Sequence, residues 1–381
     1  MNIINGIYIS KDWVQKNLVE SIFLNDQLSP PAISAFRTVP KKYIARTLPL
    51  ALPLTPPPGT EIAKRILNLM LCKSVRRGSK SLILPYYANI KEKIEIMVAH
   101  NQPISFVLPS LPFKDQSPFG TGAPIDHADL GEYAFFAQIK RILSGIEAIY
   151  PPGAHMTILC DGYIYADIFT ENDTDGAGRY KARCEHIKNA YGLYNTVTLF
   201  DMREVFFDIP YWKEIESGME LVVRDLYQIN TEAMVRIDHL AKRFMYYVQL
   251  PGHSYDTART LYEKSPWPQW VWELLLSSAI RYSAVHLAMK KTNVVMEAFP
   301  SAIRCTVHPK AAPQLPLHLT NQNNQLLPYN GVAAVSREAL ERGATLFQAT
   351  RIKRLCDILA FDNVTAVHFE GDSYPFYYEI P

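Results

Sequence analysis

The sequence predicts an α/β fold with a Rossmann-like core, a parallel sheet flanked by helices, and two observations lead to this fold class. First, residues 103–108 and 155–160 are short apolar runs with the length of buried strands, and a helix with an apolar stripe lies between them. Second, the pattern continues with a helix over residues 177–191 and a strand over residues 196–200. Strands joined by helices of these lengths form βαβ units, in which the strands run parallel.

The helix between the first two predicted strands begins with a capping signature. Its apolar stripe consists of Phe135, Ile139, Ile142, Ile146 and Ile149. Asp129 and Glu132 stand at the N-cap and N3 positions, as a capping box requires, and such a cap is worth about 1 kcal/mol. A cap alone accounts for both residues. Because a helix N-terminus beside strand ends also attracts anionic ligands, a functional role for the two residues stays open.

The remaining chain divides into an arm and two regions. Residues 1–59 are rich in proline, which is excluded from helix interiors and central strands, and they predict an extended arm on the main domain. Residues 60–265 are assigned to a Rossmann-like catalytic domain, which starts with a helix that begins at Thr60 and stops by Gly78. Residues 266–381 are assigned to a smaller C-terminal α/β subdomain that completes the site.

Composition and charge argue against several classes of function. The 381 residues are 48% hydrophobic and 20% charged, with a formal net charge of +2, as in ordinary globular enzymes. No basic run interleaves with aromatic residues, so neither nucleic acid nor a membrane is expected as a partner. The five cysteines are scattered and form no Cys-x-x-Cys pair, which is typical of reduced thiols, and no signal peptide is visible. We therefore expect a cytoplasmic protein.

Polar residues follow two of the predicted strands, at the edge where open parallel sheets bind their ligands. The loop over residues 114–128 is much longer than most βα connections, which favours a functional role. Lys114 comes just after its strand and is either a group that holds a phosphate or carboxylate or a solvated loop lysine. Asp161 and Gly162 follow the next strand and form either a turn or a ligand-orienting carboxylate.

The C-terminal third contains a second candidate surface. Residues 212–292 are mostly helical by pattern, and strand-like segments follow around residues 303–307 and 364–370, with a helix between them. On the first of these strands, Arg304 and His308 share one face, which is either a solvated edge or a site. With Lys310, they would complement a phosphorylated substrate.

The sequence contains no convincing metal or nucleotide motif. His127 followed by Asp129 is a single weak metal-like pair, so we expect no metal and no other cofactor. The Gly120-Thr-Gly122 segment lacks the third glycine of a dinucleotide fingerprint and does not match a Walker loop. A Gly-x-Ser-x-Gly elbow is also absent from the sequence.

Several short motifs occur together in a fixed order between about residues 60 and 335. They are Pro103-Ile-x-Phe-x-Leu-Pro-x-Leu-Pro-Phe-Lys114, Asp129-Leu-Gly-Glu132, Tyr150-x-Pro-Gly-Ala154, Asp161-Gly-x-x-x-x-Asp167, Arg281, Pro300-x-Ala-Ile-Arg-x-x-x-His-Pro309 and Pro328-Tyr-Asn-Gly-Val332. Each is short, but the ordered set is fairly specific. The set resembles the pyoverdine and dityrosine biosynthesis proteins, a family that includes the isocyanide (isonitrile) synthases of secondary metabolism.

The resemblance implies a reaction between an amino acid and ribulose 5-phosphate without a metal or redox cofactor. The α-amine of the amino acid, expected to be tyrosine or tryptophan, would condense with the sugar ketone, whose carbon becomes the isocyano carbon of an α-isocyano acid. The residues matched to catalytic positions are Lys114, Asp129, Glu132 and His308, and those matched to substrate-binding positions are Asp161, Arg281, Arg304, Lys310 and Asn330. A downstream iron- and 2-oxoglutarate-dependent oxygenase is the partner that the resemblance implies.

Two segments depart from the family pattern. The loop after Lys114 reads Asp115-Gln-Ser-Pro-Phe119, where Ser-Pro-Asn is commoner in the family. The segment expected as Pro-Trp-His-Gly is Pro328-Tyr329-Asn330-Gly331 here, and Asn330 acts only by hydrogen bonding because an amide does not titrate. Three alternatives therefore stay open: a divergent condensing enzyme of the same family, a Rossmann-type transferase acting on a small metabolite, and a catalytically idle relative that binds one.

Overall fold

The computed structural model describes residues 59–114, 120–169, 174–203, 212–245, 267–369 and 372–381, together with three strands near the N-terminus. In chain order the strands are β1 (Asn2–Ile4), β2 (Ile7–Ile9), β3 (Ala35–Val39), β4 (Ile104–Pro109), β5 (Ala154–Cys160), β6 (Val197–Asp201), β7 (Ile303–Thr306), β8 (Leu315–Pro316), β9 (Val332–Ser336), β10 (Thr350–Lys353), β11 (Thr365–Phe369) and β12 (Pro375–Ile380). The helices are α1 (Gly59–Met70), α2 (Tyr87–Ala99), α3 (Leu130–Glu147), α4 (Gly162–Phe169), α5 (Thr174–Ala190), α6 (Trp212–Ile229), α7 (Thr231–Phe244), α8 (Gln269–Thr292), α9 (Val294–Ala298), α10 (Arg337–Glu341), α11 (Leu346–Ala349) and α12 (Leu355–Ile358).

The central sheet is parallel and confirms the predicted α/β class. Its strand order is β6-β5-β4-β7-β8, and each neighbouring pair is parallel. Both faces are covered, as parallel sheets require. Phe106 and Leu108 pack into a large core with the apolar stripe of α3, whereas Val107 and Leu159 pack on the opposite face with Val294 of α9. The near-continuous apolar strands of the sequence follow from this burial on both faces.

The sheet takes strands from both sides of the predicted boundary at residue 265. β7 comes from the C-terminal region and lies between β4 and β8, and its Ile303 pairs with Phe106 of β4, 303 − 106 = 197 positions earlier in the chain. The division of the chain into a 60–265 domain and a 266–381 subdomain stays a prediction. The predicted first helix is present, but α1 ends at Met70, well before Gly78.

The C-terminal region adds a second sheet, with strand order β10-β9-β12-β11-β3. β3 comes from the N-terminal arm and pairs in parallel with β11. The proline-rich end of that arm, residues 50–58, lies outside the described residues. In this region the sequence predicted only β11 and a single helix; it missed β9, β10 and β12. The five residues of β9 are mostly small and carry no alternation of apolar and polar side chains that would mark a strand.

Three helices of the middle region form a separate layer. α6, α7 and α8 bury apolar side chains against one another, including Ile215, Ile237 and Leu275. Their positions confirm the helical pattern predicted for residues 212–292, except for residues 246–266, which lie outside the described part. In the part of the chain that the structure describes, no helix has the length and apolar character needed to cross a membrane.

Candidate active site

The predicted site residues lie near the carboxyl edge of the central sheet and on the segments that face it. Lys114 is the fifth residue after the end of β4, in the loop that Ser110 and Leu111 begin. Asp161 follows β5 directly, and Arg304 lies within β7. Because β4 pairs with both β5 and β7, these three segments are neighbours in space. Residues 115–119 of the predicted functional loop lie outside the described residues.

Lys114, Asp129 and Glu132 form a buried ion cluster. The Lys114 Nζ lies 3.0 Å from Asp129 Oδ2 and 3.1 Å from each Glu132 carboxylate oxygen. It also donates a hydrogen bond of 2.8 Å to the carbonyl oxygen of Pro328. The three side chains are at most 1% exposed. Lys114 is therefore not a solvated loop lysine, and in this arrangement its ammonium offers no exposed surface to a substrate.

The capping box predicted at the start of α3 is confirmed and is part of this cluster. Asp129 accepts a 2.6 Å hydrogen bond from the backbone of Gly131, and Glu132 accepts one of 2.8 Å from the backbone of Asp129. Asp129 Oδ2 accepts a further hydrogen bond from the backbone of Ala333 in β9. The cluster thus ties α3 to the second sheet as well as to the end of β4.

Burial and neighbouring charges shift the pKa values of Lys114 and Glu132. Burial alone would lower the pKa of Lys114, but the two carboxylates outweigh it and the pKa is raised. Burial raises the pKa of Glu132, against the opposing effect of Lys114. Tyr180 of α5 donates a 2.8 Å hydrogen bond to Glu132 Oε1, which completes the surroundings of that carboxylate. The catalytic roles assigned to these three residues stay predictions.

Asp161 has the opposite character, since its carboxylate is poorly paired. The residue keeps some exposed surface, but its Oδ1 is shielded from solvent and has no hydrogen-bond partner among the described residues. Burial raises the pKa of Asp161 to about 7. Gly162 begins α4, so the predicted turn at this position is instead the start of a helix. The side chain of Asp167 lies outside the described residues.

Arg304, like Asp161, has a shielded polar atom without a hydrogen-bond partner in the described structure, but it carries a positive charge. The burial of β7 alternates, with Ile303 and Cys305 inside and Arg304 half-buried, as the sequence predicted for this strand. The Arg304 Nε is shielded from solvent and has no hydrogen-bond partner in the described structure. Burial lowers the pKa of Arg304, and no neighbouring carboxylate compensates. A half-buried guanidinium in this state is well suited to bind an anion.

Further cations gather around His308. This residue keeps exposed surface although protein surrounds most of it, which places it in a concave part of the surface. Burial lowers the pKa of His308 to about 4. The positive charges of Lys310, Arg77 and Arg243 contribute to this shift. Arg77 is fixed by hydrogen bonds to the carbonyl oxygens of Val307 and Gln325. His308 is accordingly a neutral imidazole on a positively charged surface at neutral pH.

An aromatic group that the sequence did not predict lies next to these residues. Tyr165 of α4 and Tyr282 of α8 have ring centroids 5.3 Å apart, and the ring of His286 lies 4.3 Å from Tyr282. The Tyr165 hydroxyl and His286 Nδ1 are 3.3 Å apart. Burial, with Lys310 and His308 nearby, lowers the pKa of His286 to about 3. Helical spacing of four residues between Tyr282 and His286 was the available signal.

The two remaining predicted residues lie at the margin of the site. Arg281 is half-buried on α8, next to Tyr282 in sequence. Asn330 is half-buried at the end of a short 3-10 helix, Pro328–Asn330, which also carries Tyr329. Across the described ranges, no group of three or more histidine, cysteine, aspartate or glutamate residues is placed to hold a metal ion. The expected lack of a metal stays a prediction, as does the binding role of each residue.

Comparison with known proteins finds a matching family profile and several distant relatives. The profile of the family described as pyoverdine/dityrosine biosynthesis protein matches residues 94–257. An L-tyrosine isonitrile synthase of Xenorhabdus nematophila is 23% identical over 286 residues, which span 72% of this chain and 82% of that protein. An L-tryptophan isonitrile synthase of Fischerella ambigua is 22% identical over 218 residues, which span 57% of this chain and 65% of that protein.

A solved structure shares the fold. The crystal structure of the PvcA protein from Pseudomonas aeruginosa superposes with a TM-score of 0.63 at 17% identity, over 84% of this chain and 100% of PvcA. The matched profile begins within α2 and includes β4, the buried ion cluster and Asp161, so it covers the motifs up to Asp167 but not those from Arg281 onwards. By its profile match over residues 94–257 and by the relatives named above, the chain is similar to the pyoverdine/dityrosine biosynthesis proteins.

Proposed function

We propose that this protein is an isonitrile synthase that condenses the α-amine of an amino acid with ribulose 5-phosphate to form an α-isocyano acid. One observation carries the proposal: Asp161, with an unpaired carboxylate oxygen, and Arg304, with an unpaired Nε, lie just after β5 and within β7, the two strands that flank β4. The two substrates require different groups. The amine of the amino acid needs a hydrogen-bond acceptor, whereas the phosphate of the sugar needs a cation. The names of the matched relatives support the reaction class.

The cationic residues account for the binding of the sugar phosphate. Arg304 and His308 share one face of the β7 segment, and Lys310 follows two residues later. A guanidinium and an ammonium together bind a phosphate through charge-assisted hydrogen bonds. The neutral imidazole of His308 offers a donor to the ketone oxygen of the sugar without adding another charge.

Asp161 accounts for the proton transfer that condensation requires. An amino acid binds as the ammonium form, and the nitrogen attacks a ketone only after it loses a proton. A carboxylate with a pKa of about 7 is suited to accept that proton near neutral pH and to return one when water leaves the adduct. An ordinary aspartate is too weak a base for this exchange.

The buried ion cluster supports this chemistry by position. It fixes the end of β4, the start of α3 and the carbonyl of Pro328 relative to one another. Lys114, Asp129 and Glu132 therefore hold the Tyr329 turn against the strand edge. An aromatic substrate side chain, as in tyrosine or tryptophan, would pack against Tyr165 and Tyr282, since aromatic rings favour stacked or edge-to-face contacts.

The experiment uses purified protein, ribulose 5-phosphate labelled with ¹³C at the ketone carbon, and each of the twenty amino acids in turn. We expect an isocyanide stretch in the infrared spectrum and the label in the isocyano carbon for at least one amino acid. The Arg304→Gln variant is the control that should lose product. Absence of product with all twenty amino acids and well-folded protein would contradict the proposal.

A divergent condensation is the second candidate, and Asn330 favours it. An asparagine at the position where the family motif has histidine removes a titratable group. The same incubations separate the two candidates: a condensation product that contains the ¹³C label but gives no isocyanide stretch would support the divergent reaction.

A further inference from the structure

Two buried oxygen atoms at the strand edge lack a hydrogen bond of ordinary geometry among the described residues, and one belongs to a residue with no assigned role. Ser110 follows β4 and is 2% exposed. Its Oγ makes no hydrogen bond of ordinary length and angle among the described residues, although it interacts with the Tyr329 hydroxyl. Oδ1 of Asp161 has no hydrogen-bond partner among them. Native proteins rarely leave buried polar atoms unpaired, because the desolvation is not repaid. Two such atoms at the ends of adjacent strands indicate a place that a ligand completes.

The backbone brings these two strand ends together and holds them. Ser110 donates its N–H to the carbonyl of Leu159 at 3.0 Å, so the ladder of the sheet continues one residue beyond β4. Leu111 then adopts a left-handed conformation with φ of 60°, which is unfavourable for a leucine. The next carbonyl, of Pro112, lies so close to Gly162 that an added Cβ would be 1.9 Å from its oxygen. Strained backbone of this kind is typical of functional sites.

Tyr329 contributes a third oxygen. Its side chain is 6% exposed, and its hydroxyl lies beside Ser110 and within electrostatic range of Asp161. The turn that carries it is fixed by the hydrogen bond from Lys114 to the carbonyl of Pro328. Burial, followed by the charge of Asp161, raises the pKa of the phenol, which therefore stays neutral.

We infer that Ser110, Asp161 and Tyr329 form the subsite for the α-ammonium group of the amino acid, an inference that rests on the proposed function. An ammonium has three N–H donors, and the three side chains offer oxygen acceptors for them. The cations of the site are Arg304 and Lys310, which repel an ammonium and attract a phosphate or carboxylate. The amine is thereby oriented towards the oxygen atoms and the phosphate away from them.

The test measures binding of the amino acid alone, so it does not depend on turnover. Isothermal titration calorimetry first identifies the amino acid, among the twenty, that the wild-type protein binds most tightly. The same ligand is then compared with its des-amino acid, which keeps the side chain and carboxylate but lacks the amine. We expect the wild-type protein to prefer the amine-bearing ligand by about tenfold or more, as for a hydrogen-bonded charged group.

Two variants that lack a hydroxyl then test which side chains produce the preference for the amine-bearing ligand. Ser110→Ala and Tyr329→Phe should each weaken binding of the amino acid by about tenfold and leave binding of the des-amino acid unchanged. Ser110→Thr keeps a hydroxyl and should retain most of the preference. The matched controls are Ser283→Ala and Tyr150→Phe. These controls remove buried hydroxyls that bond to the carbonyls of Ala279 and Gln102, and neither affinity should change.

The outcomes separate this inference from the proposed function. Equal losses for both ligands, or no loss for either, would overturn the subsite, as would a wild-type protein that binds no amino acid or does not distinguish the amine. If the amine preference depends on Ser110 and Tyr329 but no isocyanide forms, the subsite stands and the proposed reaction fails. If isocyanide forms while both variants keep the amine preference, the reaction stands and the subsite fails.

Discussion

Two groups of buried polar residues lie near the carboxyl edge of the central sheet, and they differ in how completely their atoms are paired. In the buried ion cluster of Lys114, Asp129 and Glu132, the ammonium has four close oxygen partners. The strand-end cluster, as we define it, consists of Ser110 and Asp161 at two strand ends together with Arg304 of β7. Each of these side chains has a shielded polar atom that makes no hydrogen bond of ordinary geometry in the described structure.

This difference in pairing indicates different roles for the two clusters, one in stability and the other in binding. A complete cluster contributes to the fold, because removing one partner leaves the others unpaired in a medium that solvates them poorly. An incomplete cluster costs stability and is consistent with a site that a ligand fills. Substitutions should therefore act in opposite directions: they should destabilise the fold in the buried ion cluster and impair binding in the strand-end cluster.

The largest effect is expected for Lys114→Met. The variant leaves two carboxylates buried without their cation, and we expect a loss of about 3–5 kcal/mol in the free energy of unfolding, measured by urea denaturation. Lys91→Ala is the matched control. It removes a lysine that pairs with Glu95 on the surface of α2, and it should cost less than about 1 kcal/mol. A Lys114→Met protein that is inactive but as stable as the control would show that Lys114 acts on the substrate directly.

The next effect concerns Arg304→Met, which should impair binding more than folding. The guanidinium has an unpaired Nε, so its loss should change the free energy of unfolding by less than about 1 kcal/mol. The affinity for ribulose 5-phosphate should fall by about tenfold to a hundredfold, because a charge-assisted hydrogen bond is lost. Calorimetric titration and urea unfolding of the same preparation measure both quantities. A strongly destabilised variant with unchanged affinity would remove Arg304 from the strand-end cluster.

Asp161→Asn should stabilise the protein, and the gain should depend on pH. The pKa of Asp161 is raised from 3.8 to about 7 in the folded protein, so the folded state keeps a proton that the unfolded chain loses first. Stability that depends on this group is therefore present below pH 4 and is lost as the pH rises to 7. At pH 8 we expect the variant to exceed the wild type by on the order of 2 kcal/mol, allowing for relaxation around the charge.

The measurement is urea unfolding of both proteins at pH 4.5, 6 and 8, in which the difference between them isolates Asp161 from other titrating groups. Tyr165 and Tyr329 lie within electrostatic range of this carboxylate and stay neutral across this interval because burial raises their pKa values. An equal difference at all three pH values would mean that Asp161 is paired in solution and does not belong to the strand-end cluster.

The sequence predicted the secondary structure around these two clusters better than it predicted which side chains contact one another. The βαβ order, the capping box at Asp129 and the alternation around Arg304 follow from local patterns, and all three are confirmed. The partners of Lys114 could not be predicted, since one of them is the carbonyl of Pro328, 214 positions away. Ser110 and Tyr329 lie within sequence motifs that assign neither of them a role, and tertiary hydrogen bonds to Leu159 and Pro328 fix the segments that carry them.

The smallest effect is expected for Asn330→His, which restores the residue of the family motif beside the strand-end cluster. Asn330 is half-buried at the end of the Tyr329 turn, so the imidazole should fit and stability should change by less than about 0.5 kcal/mol. Gly331 is different, because an added Cβ would lie 2.6 Å from the carbonyl oxygen of Lys353, and Gly331→Ala serves as the disruptive comparison. If residue 330 faces the substrates, kcat should change a few-fold and its pH profile should gain a titration near the ordinary histidine pKa of about 6.5. A pH profile identical to that of the wild type would place residue 330 outside the reaction, and the departure at this position would then carry no information about the chemistry.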